Sequence, residues 1–318
     1  MQTDRACSVR FHFRASELPV FPSAPSLEKR ENHAEWSDAP VIGFFDSGFG
    51  GLTVLRRVVE ALPRYDYLYL GDNARAPYGS RSQRVVYEFT REAVDYLFRR
   101  GCPLVVIACN TSSAKALRRI QQEHLPGSYP DRRVLGVVRP LVEEVAERKI
   151  FRKVGLLATE GVVASEAYLR EIEKLDPAIR VFQKACPLLV PIIEAGEQDW
   201  EGAELILRRY LDELLAEAGA IDALLLACTH YPILYGTIRR IVEARVEVLE
   251  QGPIVAAKLA DYLRRHPEIE RRLTRGGRRT FLTTDLTERF DRLARIFFGE
   301  PVRSRLVAFD REAERGGR

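Results

Sequence analysis

The chain of 318 residues is poor in several things at once: one methionine, two tryptophans, five histidines and five cysteines. Five cysteines at this length make no disulfide framework, and the odd number leaves at least one thiol free, which fits a reducing, cytoplasmic setting. No run of 18 apolar residues occurs, so no membrane-spanning helix is expected. Neither Gly-x-Gly-x-x-Gly nor a Walker Gly-Lys-Ser/Thr is present, which argues against a nucleotide ligand. Without a Cys-x-x-Cys pair and with few histidines, no metal site is expected. One-sided charge is lacking too. Forty-nine Lys+Arg face 45 Asp+Glu for a formal charge of +4, not the balance of a nucleic-acid or membrane binder. The run from Arg264 to Arg279 is broken by Glu268 and Glu270 and reads as a solvated helix face followed by a loop.

What the chain does have is length for two domains of about 150 residues and an ordinary hydrophobic fraction of 46%. Residues 1–40 carry Pro19, Pro22, Pro25 and several charges but no apolar stretch of signal-peptide length, so a disordered extension is expected there. From Val41 onward, apolar runs of strand length alternate with helical patterns, the mark of an α/β fold with mostly parallel sheets flanked by helices. Strands are expected at 41–46, 66–71, 104–109, 133–138, 153–158, 223–228 and 246–250. A helix over 82–100 follows from Val85, Phe89, Ala93 and Leu97, and another after Gly202 from Leu205, Ile206, Arg209, Tyr210, Leu214 and Ala218. Arg139-Pro140 marks a boundary, because the residue before proline is biased away from helix and the proline suits the first turn of the next helix. The expected organisation is a first domain of 41–138 plus 249–318 and a second of 139–248, pseudo-symmetric, with the active site in the cleft between them.

The pseudo-symmetry rests on a repeat. Residues 104–111 read Leu-Val-Val-Ile-Ala-Cys-Asn-Thr, and residues 223–230 read Ala-Leu-Leu-Leu-Ala-Cys-Thr-His. Each pattern is a buried parallel strand delivering a cysteine, Cys109 or Cys228, to the sheet edge where such folds bind ligands. Two thiols across a cleft can serve as base and acid on opposite faces of one carbon, which is what inverting a stereocentre by proton transfer requires. His230 strengthens Cys228, since a nearby imidazolium lowers a thiol from its usual value of about 8.5. A lone buried cysteine is as readily plain packing. Recurrence in matched contexts sets these two apart.

Other clusters read less sharply. Asp46-Ser47-Gly48-Phe49-Gly50-Gly51 ends the first strand before a helix beginning near Leu52. Its glycines and the helix N-terminus suit a carboxylate, or Asp46 merely caps the helix. Gly71-Asp72-Asn73 through Pro77-Tyr78-Gly79-Ser80 is turn chemistry by composition. Asn110, Thr111 and Ser112 follow Cys109, where any of them serves equally as an N-cap. Cys186, in Ala-Cys-Pro, reads as structural, and Cys7 and Cys102 lack partners.

Five motifs in order, over about residues 42–300, resemble the bacterial glutamate racemases of the aspartate/glutamate racemase superfamily. They are Asp46-Ser47-Gly48-x-Gly50-Gly51-Leu52-Thr53-Val54; Gly71-Asp72 with Pro77-Tyr78-Gly79; Ala108-Cys109-Asn110-Thr111; Ala185-Cys186-Pro187-Leu188 with Glu194; and Cys228-Thr229-His230-Tyr231-Pro232. The tail Phe281-Leu282-Thr283-Thr284-Asp285 followed by Arg289-Phe290 is similar to the family's C-terminal segment. The resemblance implies that Cys109 and Cys228 exchange the α-proton of glutamate, with neither pyridoxal cofactor nor metal. It makes Asp46 and His230 the polar partners of the thiols, also within reach of substrate, and Glu194 a further acid near the second thiol. Ser47, Tyr78, Gly79, Asn110, Thr111 and Thr229 then hold the amino acid's carboxylates and amine. Cys228 takes the proton from L-glutamate and Cys109 returns one to give D-glutamate for peptidoglycan synthesis, in a cytoplasmic enzyme whose subunits can form a homodimer.

Two positions depart from the family's pattern. Glu250-Gln251 stands where an acidic residue and a small hydroxyl residue are usual, and Arg139 where Glu commonly precedes the proline. Both bear on substrate handling or domain contact and not on proton transfer. Two rival readings are a racemase of aspartate or a related acid, and a non-catalytic protein that keeps the cleft to bind an amino acid.

Overall fold

The computed structural model describes residues 39–309. The extension expected over 1–40 lies outside them except for Ala39 and Pro40, as does Cys7. The first half of the chain lays down β1 (Ile42–Asp46), β2 (Tyr67–Gly71), β3 (Leu104–Ile107) and β4 (Arg133–Gly136). The second half repeats the series as β5 (Lys153–Ala158), β6 (Arg180–Ala185), β7 (Ala223–Ala227) and β8 (Glu247–Leu249), and β9 (Arg279–Thr283) and β10 (Ser304–Leu306) follow.

These strands form two sheets, ordered β10-β9-β2-β1-β3-β4 and β6-β5-β7-β8, and every pairing is parallel. The fold is therefore α/β with two sheet-centred lobes. Within each lobe the four repeated strands take the same order: second, first, third, fourth. The first and third strands lie side by side with connections leaving in opposite directions, and such a switch point opens a crevice at the carboxyl ends of the strands.

Most of these strands are legible because they are buried on both faces, as in β1 and β7, whose residues are all buried. β6 and β10 are edge strands with Arg180, Gln183, Lys184, Ser304 and Arg305 among their residues, so no continuous apolar run announces them. The helix expected over 82–100 spans Gln83–Arg99, with the Ser82 hydroxyl accepting from the Val85 N–H. The helix after Gly202 spans Glu201–Ala218, but its inner face is Ala203, Leu207, Tyr210, Leu211, Leu214 and Ala218. Leu205, expected on that face, is 66% exposed. The strand expected to run to 138 ends at Gly136, and a helix spans Val138–Arg148 with Arg139 and Pro140 inside it. Proline is harmless there because the first-turn N–H groups have no intrahelical partner to lose.

One continuous cluster of buried side chains runs from Ile42, Phe44 and Val106 through Leu52, Leu55 and Val255 to Leu224, Leu226 and Tyr231. The lobes thus share a core behind the cleft. Each fully buried Leu or Val in it is worth roughly 1.5–3 kcal/mol, so the rear contact is a firm one.

Candidate active site

β3 and β7 deliver Cys109 and Cys228 just past their carboxyl ends, and both sulfurs belong to the lining of one cavity of about 640 Å³ between the lobes. That volume lies within the range of small-molecule sites. Ser47, Tyr78, Gly79, Asn110, Thr111, Glu194, Thr229 and His230 line it as well. Asp46 alone among the predicted site residues does not. It is fully buried behind the first thiol, at the end of β1.

The repeat extends beyond the cysteines. Matching Ala108-Cys109 to Ala227-Cys228 carries Asp46-Ser47, at the end of β1, onto Ala158-Thr159, at the end of β5. It also carries Thr111 onto His230. The one carboxylate and the one imidazole therefore break the symmetry, and each serves a different thiol.

Around Cys109 the environment is acidic. The Cys109 side chain is itself the N-cap of the helix Asn110–Lys115, accepting from the Ser112 N–H at 3.4 Å, so the cap expected at Asn110, Thr111 or Ser112 is the thiol. Its Sγ also donates to Ser47 Oγ at 3.4 Å. Burial first, and the Asp46 carboxylate second, push this thiol up to about 11, outweighing the hydrogen bonds with Ser47 and Ser112. Asp46 does not cap the helix Leu52–Ala61. Its Oδ2 accepts from the Gly48 N–H at 2.9 Å while Oδ1 has no partner, and burial holds its carboxyl above the usual range.

Around Cys228 the environment is basic. His230 Nδ1 lies 3.9 Å from Cys228 Sγ, and its Nε2 lies 3.0 Å from Glu194 Oε1. Burial alone would lower this imidazole, but hydrogen bonds with Cys228 and Glu194 prevail and push it up to about 10. The ring is therefore an imidazolium at neutral pH, clamped edge-on against Phe297 at 5.1 Å. Glu194 Oε2 continues the chain to Arg289 Nη2 at 3.6 Å, and Arg289 lines the cavity too.

The remaining predicted residues divide by what their side chains already hold. The Tyr78 hydroxyl donates its one hydrogen to Asp72, so it has no O–H left to offer a ligand. The Asn110 amide pairs with Gln251 and Tyr168. Thr111 Oγ1 meets Thr159 Oγ1 at 3.0 Å across the cleft, and the Gly161 N–H donates to the Gly79 carbonyl at 2.8 Å. Thr53 Oγ1 bonds the Gly50 carbonyl at 2.9 Å and the Thr229 carbonyl at 2.8 Å. The glycine turn approaches protein and not only ligand. A Cβ on Gly50 would stand 2.2 Å from Thr229 Oγ1, and one on Gly51 would stand 2.6 Å from Asp46 Cβ. Cys186 is buried, with its Sγ donating to the Lys184 carbonyl at 3.5 Å. Arg139 sits outside the site, bonded to Glu143 at 2.7 Å and Glu171 at 3.2 Å.

Missed from sequence are Thr159 and Tyr168, together with the bonds that Gln251 and Arg289 make. Thr159 had a signal: Ile-Gly-Phe-Phe-Asp-Ser at 42–47 and Val-Gly-Leu-Leu-Ala-Thr at 154–159 repeat as the cysteine strands do.

A doubled parallel fold carrying a thiol from each half into one cleft matches, over residues 42–259, the model of the Asp/Glu/hydantoin racemase family. The chain belongs to that family. Among its relatives, the glutamate racemase of Ruegeria sp. (strain TM1040) is 40% identical over 271 residues, covering 82% of this chain and 97% of its own. The crystal structure of glutamate racemase isoform RacE1 from Bacillus anthracis superposes with a TM-score of 0.77 at 30% identity, over 86% of this chain and 98% of that one. Glutamate racemase from Francisella tularensis subsp. tularensis, solved in complex with D-glutamate, gives 0.76 at 29% identity, over 86% and 99%.

Proposed function

We propose that the protein interconverts L- and D-glutamate, with Cys228 as the base toward L-glutamate and Cys109 as the acid on the opposite face. The observation that carries this reading is the opposite charge beside the two thiols. The His230 ring stands 3.9 Å from the Cys228 sulfur, whereas burial and a carboxylate keep the Cys109 proton in place. Racemisation in one direction needs that pairing, one sulfur without its proton and one with it. The α-hydrogen of an amino acid is a weak acid, so the carbanion must be held by fixed dipoles in a cleft that excludes water. Ser47, Thr111, Thr159, Thr229 and the backbone at Tyr78-Gly79 line the cavity as candidate anchors for the carboxylates and amine. The two thiols supply both proton-transfer groups, so the reaction as proposed calls on no cofactor or metal.

The proposal extends to a division of the chain into 41–138 plus 249–318 and 139–248, to a role supplying D-glutamate for peptidoglycan, and to a cytoplasmic homodimer. Four buried free thiols support a reducing compartment, and among the described residues no helix is long and apolar enough to cross a membrane.

The test is isotopic. Incubation with L-glutamate in deuterated water should yield α-deuterated D-glutamate. Absence of both label and inversion refutes the assignment, and inversion of aspartate in its place reassigns the substrate.

A further inference from the structure

Gln251, one of the two positions at which the chain departs from the family's pattern, is only 1% exposed and belongs to a closed hydrogen-bond ring. Its Nε2 donates to Asn110 Oδ1 at 2.6 Å and to Tyr168 Oη at 3.0 Å, and its Oε1 accepts from Asn110 Nδ2 at 2.8 Å. The Tyr168 hydroxyl completes the ring by donating to Asn110 Oδ1 at 2.7 Å. Three chain segments meet here: the residue after Cys109, the helix Ala167–Leu175 of the second lobe, and the first residue of the helix Gln251–Arg265.

The ring decides which way the Asn110 amide faces. Its oxygen accepts twice and its nitrogen donates once to Gln251, so one Nδ2 hydrogen remains, on a residue that lines the cavity. A reversed amide would set its NH₂ against the Gln251 NH₂ and its oxygen against the Gln251 oxygen, and buried polar groups left so mismatched are costly. A small hydroxyl residue at 251 could not make this two-way pairing, since it lacks an amide's separate donor and acceptor.

We infer that Gln251, with Tyr168, is a positioning residue that locks Asn110 as a hydrogen-bond donor toward an acceptor group of the substrate and steadies the turn carrying Cys109. This rests on the reaction proposed above. Cys228 is carried by a different turn, so the effect of Gln251 is one-sided, while the Tyr168 phenol also feels Cys228. Loss of the ring slows the step at Cys109 more than the step at Cys228.

The experiment measures kcat and KM in both directions, with α-protonated and α-deuterated L- and D-glutamate, for the wild type, Gln251→Ala and Tyr168→Phe. Tyr168→Phe removes one donor at nearly constant volume and keeps the test open if Gln251→Ala folds poorly. Gln251→Ala is expected to lower kcat/KM about tenfold, the equivalent of one buried hydrogen bond, and Tyr168→Phe less. The isotope effect should rise with deuterated D-glutamate, whose hydrogen leaves to Cys109, and fall with deuterated L-glutamate. Unchanged kcat/KM, or isotope effects that move together in the two directions, overturns the inference. A wild type inactive on glutamate would instead sink the reaction itself.

Discussion

Replacing Glu194 by Gln tests the electrostatic asymmetry at its most sensitive point. Glu194 Oε1 sits 3.0 Å from His230 Nε2, and its side chain is only 21% exposed, so solvent screens the pair weakly. Gln keeps the shape and can present an oxygen to the same N–H, but it removes the charge. A hydrogen bond to a charged group is worth about 1.5–3 kcal/mol against about 0.5–1.5 for a neutral one, a difference of about 1.4 kcal/mol or one pH unit. The sign is fixed by the loss of an anion beside a cation: His230 gives up its proton more easily. Since His230 is held up to about 10 in the native protein, the alkaline limb of kcat/KM for L-glutamate should fall from near that value toward about 9. The assay is the pH profile of inversion between pH 7 and 10.5, followed by polarimetry or circular dichroism. The variant should lose far more activity at pH 9.5 than at pH 7.5. A limb that stays put, or one that moves upward, refutes the reasoning that the Glu194 charge maintains the imidazolium.

Cys109→Ser and Cys228→Ser should each cut racemisation by about 10²–10⁴-fold, the usual worth of a positioned acid or base; substantial turnover by either variant would show that two sulfurs are not needed. Thr53→Val should remove the one hydroxyl donor that two carbonyls share, at 2.9 and 2.8 Å, for about 1–3 kcal/mol, visible as a lower melting temperature, and an unchanged melt would show that this seam contributes nothing. Gly50→Ala places a methyl group 2.4 Å from His230 Nδ1. It should cost about 1–3 kcal/mol through overpacking and reduce activity at least tenfold, and full activity would mean that His230 need not hold its place.

The parts of the site legible in sequence are those that repeat. Cys109 and Cys228 stand out because buried parallel strands leave an apolar signature and a thiol recurs at the end of two of them. The same argument, carried one strand further, reaches Ser47 and Thr159. Hidden from it are bonds between residues far apart in the chain. Gln251 joins Asn110 across 141 positions and Tyr168 across 83, and no local pattern encodes such a meeting. For Tyr78, which the resemblance places among the substrate-holding residues, the structure shows a phenol whose O–H is donated to Asp72. Edge strands β6 and β10 escaped because a strand bordered by solvent tolerates charged residues, and β9 because Arg279-Thr280-Phe281-Leu282-Thr283 holds no apolar run of strand length. Pro140 stands in the first turn of a helix as its chemistry suggests, but the strand before it stops at Gly136 and the helix starts at Val138, because a pre-proline bias has little force in a helix's first turn.

The cleft is sewn at its rim as well as at its rear. Thr111 to Thr159 and Gly161 to Gly79 close the front of the chamber, while the shared core holds the back. Any parting of the halves on that side breaks both bonds while the core behind resists it, so relative motion of the two is that of a jaw with a stiff hinge. Opening of that jaw is a mechanical event separate from chemistry at the sulfurs, and such events often set the pace of turnover. Where such opening limits turnover, a faster thiol leaves throughput unchanged, whereas a looser lip quickens it.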